Sequence, residues 1–157
     1  MVLVLYITVS WLVITYYITG TEKHEVIKGI IICMILVIVE VNIIFSISLN
    51  MELIKLTEDK IKFLALCLYV CAITPFLIII FIDKFNTADT HLKKAVLTIL
   101  LIALTAILEA INIELRLYTY AKWSYLFSIL LNSFYILISL VLNKGLGTLE
   151  KRGAMYK

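Results

Sequence analysis

The sequence predicts an all-α, polytopic integral membrane protein: five transmembrane helices joined by short loops. Three observations predict it. The 157 residues are 63% hydrophobic, where soluble domains run at about 45–50%. The mean hydropathy is +1.07. The apolar residues gather into five continuous runs, each close to the ~20 residues that a helix needs to cross a bilayer. A barrel strand would be about half as long and would alternate in polarity. Backbone groups in lipid must be bonded within their own segment, which a helix does by construction. The same figures exclude a soluble globular domain and a disordered chain, which requires low hydrophobicity. Nor is there length left over for a water-soluble catalytic domain.

The spans follow in order. Span one covers 2–19, and Gly20 breaks it before the charged stretch 21–28. No Lys or Arg precedes this run and no small-residue cleavage site follows it, so it reads as a retained span rather than a signal peptide. Span two covers 28–49. The polar segment 50–62 comes next, and Thr57, followed by Glu58 and Asp59, reads as the cap of the following helix. Span three covers 63–82 and contains Pro75, which removes a helix hydrogen bond to the carbonyl of Cys71 and predicts a kink there. Asp89, in the third loop, reads as the cap of span four, 95–114. A short fourth loop leads to span five, 123–143. The remaining 144–157 carries Gly145, Gly147 and Gly153 and reads as a frayed cytoplasmic tail.

Orientation comes from counting cationic residues beside the spans. Loop one, loop three and the tail share one side and hold nine Lys and Arg, against five in the other two loops. The richer side belongs in the cytoplasm of the cell membrane, placing the N-terminus outside and the C-terminus inside. Tyr16 and Tyr17 close span one, and Tyr118, Tyr120 and Trp123 cluster at the outer end of spans four and five. Amphipathic rings favour the headgroup level, so Tyr120 and Trp123 read as interfacial anchors.

Polar groups at membrane depth are the candidate functional residues. Glu40 sits near the middle of span two. A carboxylate there costs roughly 2.5–3.5 kcal/mol on insertion scales. It must face the bundle, find a partner or hold a proton. In span four, Thr98, Thr105, Glu109, Asn112 and Arg116 recur at helical spacing and form a polar stripe, with Arg116 able to lean back toward Glu109. Span five offers a matching stripe of Ser128, Asn132, Tyr135 and Ser139. A short loop makes spans four and five antiparallel neighbours, and facing stripes would bond across them at about 0.6 kcal/mol per hydrogen bond.

Other chemistries find no foothold. Cys33, Cys67 and Cys71 all lie inside spans and read as core. His24-Glu25 opens like a zinc-protease helix, but Lys28 stands where the second His belongs. His24 and His91 fall on the same side and could meet, yet two His without a third ligand do not make a metal site. No cofactor motif and no basic patch for nucleic acid is present.

The stretch from Glu109 through Tyr120 and Trp123 to Ser128 resembles a family of small multi-spanning membrane proteins of unknown function from spore-forming Firmicutes. Its members carry a Glu near the end of the penultimate span, then an aromatic, a Trp and a Ser leading the last one. The resemblance covers about a quarter of the chain and implies an architecture rather than a mechanism. It also implies that Glu109, Tyr120, Trp123 and Ser128 form one site at the outer ends of spans four and five.

Two functions fit these residues. The first is a non-enzymatic membrane subunit, held in the lipid bilayer and packing through its polar stripes with a membrane-protein partner or with itself. The alternative is a small proton- or cation-coupled transporter or channel that uses Glu40 and Glu109.

Overall fold

The chain folds as an all-helical bundle, described here over residues 1–154 of a computed structural model. Five helical stretches are long and apolar enough to cross a membrane: Val2–Gly20, Glu25–Asn50, Lys60–Thr87, His91–Glu114 and Tyr125–Thr148. At 1.5 Å rise per residue they measure about 28–42 Å, against about 30 Å of bilayer hydrocarbon.

The elements are α1 (Val2–Gly20), α2 (Lys23–Phe45), β1 (Ile54–Leu56), α3 (Lys60–Leu68), α4 (Thr74–Thr87), α5 (His91–Glu114), β2 (Tyr118–Tyr120) and α6 (Tyr125–Ala154). A π-helical turn at Ser46–Asn50 extends α2, and a second at Tyr69–Ile73 joins α3 to α4. Together α3, this turn and α4 are the hub. In their most apolar window 61% of residues are buried, against 17–28% in the other four long helices. The hub packs against α1, α2, α5 and α6, and α6 contacts both α2 and α5. That last arrangement lets side chains from α2 and α5 reach one space beside α6.

Pro75 explains the second π turn. It cannot donate to the carbonyl of Cys71, and the helix widens over Tyr69–Ile73 immediately before it. A π turn is one of the local adjustments by which membrane helices re-satisfy backbone groups freed by a proline.

The loop ends differ from expectation in four places. Asp59, not Thr57, caps α3: its Oδ1 accepts from the amides of Ile61 at 2.8 Å and Lys62 at 3.4 Å, while Thr57 Oγ1 accepts from the amide of Asp59. Thr90, not Asp89, caps α5 through the amide of Lys93 at 3.3 Å, and Asp89 instead pairs with Lys93 Nζ at 3.7 Å. Helix α6 continues to Ala154 rather than fraying after 143. Leu142 and Leu146, packed against the buried cluster around Ile32 and Phe81, extend its apolar face past that point. The fourth difference is a two-stranded antiparallel ribbon of β1 and β2, which was not foreseen. Side chains of residues 23–24 and 149–154 lie outside the described set, so the meeting of His24 with His91 falls outside it too.

The ribbon closes one end of the bundle. Ile54 pairs with Tyr120 and Leu56 with Tyr118, while Lys55 and Thr119 pair between them. Strand alternation sends the first two pairs to the same face. That face is at least partly covered, and Lys55 and Thr119 are exposed. The carbonyls of Leu117 and Leu53 tie the ribbon further, accepting from the amides of Thr57 at 3.1 Å and Ala121 at 2.9 Å.

Helix α5 turns into β2 through a Schellman motif. Leu117 N–H donates to the Asn112 carbonyl and Arg116 N–H to the Ile113 carbonyl, both at 2.9 Å. Arg116 is the left-handed residue of that turn, at φ 55°. The turn directs Arg116 outward into solvent and Leu117 inward, where it is completely buried.

At the other end, Gly29 of α2 lets α1 approach. A Cβ at this position would stand 1.9 Å from Tyr17 Oη and 2.9 Å from Ile79 Cγ2. Tyr17 is therefore a core residue, 2% exposed, with its hydroxyl donating to the Glu25 carbonyl at 3.1 Å, while neighbouring Tyr16 remains exposed. Gly29→Ala should destabilise the protein by about 1–3 kcal/mol through overpacking, although Ala usually gains about 0.5–1 kcal/mol over Gly inside a helix. Thermal unfolding in detergent checks this, and adding Tyr17→Phe should restore part of the loss.

Candidate functional site

Four side chains meet where α5, β2 and α6 converge. Glu109 projects from the last two turns of α5, and Tyr120 returns from the ribbon above it. Trp123 precedes α6, and Ser128 lies in its first turns. The Tyr120 hydroxyl donates to Glu109 Oε1. Ser128 Oγ also donates to Glu109 Oε1, at 2.5 Å. Trp123 Nε1 donates to Ser128 Oγ at 2.7 Å, and Tyr120 Oη lies 3.0 Å from that same oxygen. One carboxylate oxygen thus gathers two hydroxyl donors, and the indole orients one of them. Burial first, and the hydrogen bond to Glu109 second, raise the Tyr120 pKa above the ordinary phenol range, so it stays a donor at physiological pH. The Tyr120 and Tyr125 rings pack edge to face with centroids 5.3 Å apart, which holds Tyr120 in place.

These are the four residues that the sequence resemblance grouped. Tyr120 and Trp123 direct their polar atoms into this cluster. Their aromatic bodies stay half-exposed.

The two polar stripes largely turn inward. On α5, Thr105, Glu109 and Asn112 are buried; on α6, Ser128, Tyr135 and Ser139 are buried. Asn112 is fully buried and accepts the Tyr6 hydroxyl through its Oδ1, which ties α1 to α5. Arg116 leaves the stripe at the Schellman turn and is exposed. Among the described residues it makes no ion pair with Glu109.

A cavity of about 70 Å³ runs inward from this cluster. Its polar wall is Glu40, Glu109, Ser128 and Asn132, and its aromatic wall is Tyr69, Tyr118, Tyr135 and Trp123. Aliphatic side chains of α2, β1, α3 and α6, such as Ile44, Ile54, Leu66 and Leu131, complete it. Glu40 and Glu109 therefore share one enclosure. Glu40 lies ten residues before the end of the Glu25–Asn50 helix, about 15 Å below the ribbon end at 1.5 Å per residue.

The two carboxyl groups have different surroundings. Glu109 carries two hydroxyl donors. Glu40 is 5% exposed, and among the described residues nothing donates to it. Tyr135, in the same wall, is also without a hydrogen-bond partner at its hydroxyl. One turn along α2 from Glu40 lies an apolar layer, where Leu36 packs with Ile32, Ile78 and Ile82, none of which lines the cavity. Both π turns border the cavity, through Ile47 and Tyr69. Among the described residues no group of three or more His, Cys, Asp or Glu could hold a metal ion.

Tyr69, Tyr118 and the π turns went unforeseen as parts of this site. The sequence signals were faint: a Tyr in an apolar run, alternation over three residues in 118–120, and polar Ser46 and Ser48 near the end of span two. A scan against family models found no match to the chain, and searches of curated proteins and of solved structures found none either.

Proposed function

We propose that the chain is a multi-pass membrane protein that binds a proton or cation in its internal cavity and conducts or carries it. The observation behind this reading is that Glu40 and Glu109 line one cavity inside the bundle. A buried carboxyl without a donor is costly as an anion. Binding a proton or a cation offsets that cost, and releasing it restores the cost, which is what a reversible carrier site requires. By the excess of Lys and Arg on the other side, the ribbon and the cavity entrance face outward. The Leu36 layer then separates the site from the cytoplasm.

The rival reading, a non-enzymatic subunit, rests on the absence of catalytic motifs and on polar stripes suited to helix association. Those stripes mostly turn into the bundle, where Tyr6 bonds Asn112 Oδ1 and Tyr120 and Ser128 bond Glu109. What remains outside is apolar surface, including Trp11, Ile99 and Leu130, which lipid covers equally well.

Reconstitution into liposomes tests the proposal. Wild-type protein should speed proton or cation flux over protein-free liposomes, and Glu40→Gln and Glu109→Gln should each remove most of that gain. Flux that is unchanged in both variants, or no faster with wild-type protein than without, would overturn it.

A further inference from the structure

We propose that the cavity takes a small protonated organic amine, held by Glu40 and Glu109 among the rings of Tyr69, Tyr118, Tyr135 and Trp123. The assignment rests on the cation-binding reading above and names the cation. Three features carry it. The wall combines two carboxyl groups with four aromatic residues and aliphatic side chains. Aromatic faces attract ammonium groups, most strongly when water is excluded, and an aliphatic wall suits the carbon part of an amine better than the water shell of a metal ion. A divalent ion asks for more hard oxygen ligands than two carboxylates, and no cluster of three acidic or metal-binding side chains is present among the described residues.

Unpartnered polar groups are the second feature. The Glu40 carboxyl has no donor among the described residues, and the Tyr135 hydroxyl has no partner. An ammonium group supplies N–H donors to both kinds of oxygen, where a proton on Glu40 would satisfy one. Size is the third. The cavity measures about 70 Å³, and a water-sized group needs about 10–15 Å³ in the same measure. Roughly five such groups fit, which suits ethylammonium or ethanolammonium and excludes tetraethylammonium.

Trp123 lines the cavity, and the chain's other Trp, Trp11, is exposed on α1. Trp11→Phe protein in nanodiscs therefore reports the site by its own fluorescence. Ethylammonium chloride should change the emission saturably, at a midpoint at least about tenfold below that of sodium chloride at matched ionic strength, as a desolvated cation–π cage implies. Tetraethylammonium should give no saturable change. Glu40→Gln should raise the ethylammonium midpoint by about tenfold or more. Tyr135→Phe removes only an unpartnered hydroxyl and keeps the ring, so it should fold in any case and raise the midpoint severalfold. Equal midpoints for sodium and ethylammonium would overturn the amine assignment while leaving the cation site standing. An equal response to tetraethylammonium would place binding outside the cavity and overturn it. A midpoint unmoved in Tyr135→Phe and in folded Glu40→Gln would do the same, and no response to any cation or to pH would remove both readings.

Discussion

Glu109→Ala is expected to destabilise the protein by about 2–4 kcal/mol, while Glu109→Gln should stay within about 1 kcal/mol of wild type. The reason is the shared acceptor. Tyr120 and Ser128 both donate to Glu109 Oε1, and Ser128 is 4% exposed. Alanine removes the acceptor, so Tyr120 and Ser128, 3.0 Å apart, can bond only each other. One hydroxyl proton is then left unpaired, at about 1–3 kcal/mol, and the void left by the side chain adds to the loss. Glutamine keeps a carbonyl oxygen where Oε1 stands and loses only the charge. The pair of variants thus separates structure from function: Gln should fold and lose flux, whereas Ala should lose stability as well. Thermal unfolding in a mild detergent, followed by circular dichroism, reads the first quantity. Equal losses in the two variants would show that the charge, not the acceptor, holds the cluster together.

Leu117→Ala should cost about 2–5 kcal/mol, the range of large-to-small changes in a packed core. Leu117 is 0% exposed and belongs to the buried cluster of Tyr6, Ala65, Leu66, Tyr69, Val70 and Tyr118. It lies where α5 gives way to the ribbon, and its backbone bonds both Asn112 and Thr57. The void left by alanine would border residues from α1, the hub and β2, so few of them can relax into it without disturbing another element. Because Tyr69 and Tyr118 also line the cavity, the same change should weaken cation binding. A loss below about 1 kcal/mol would mean the ribbon end repacks freely, against the picture of a rigid cover.

Much of this arrangement can be read from the sequence because the governing physics is local. Continuous apolar runs of helix length mark all five long helices, and their ends differ from expectation by a few residues, except at α6, which runs on to Ala154. The cap positions went to Asp59 and Thr90 instead of Thr57 and Asp89 because a shift of one or two residues decides which oxygen faces the free amides. The ribbon depends on Ile54 and Tyr120 meeting across 66 positions of chain. Three-residue strands carry too little pattern to announce such a pairing. The cluster of Glu109, Tyr120, Trp123 and Ser128 was within reach because all four lie in one short stretch across a tight connection. The joining of Glu40 to that cluster was not, since it depends on α6 lying beside both α2 and α5. That is a matter of helix packing that no spacing along the chain encodes.

Accessibility of position 40 tests the central claim most directly. Cys33, Cys67 and Cys71 are replaced by alanine, and cysteine is placed at Glu40 or, separately, at Leu36, one turn away in the apolar layer. The proteins are held in nanodiscs, where both faces meet solvent, and treated with a methanethiosulfonate reagent bearing an ammonium or a sulfonate group. The account predicts labelling at position 40, faster with the ammonium reagent by about tenfold because Glu109 remains in the cavity, and no labelling at position 36. An unreactive position 40, or equal rates for the two reagents, would contradict a cation-selective cavity reaching Glu40.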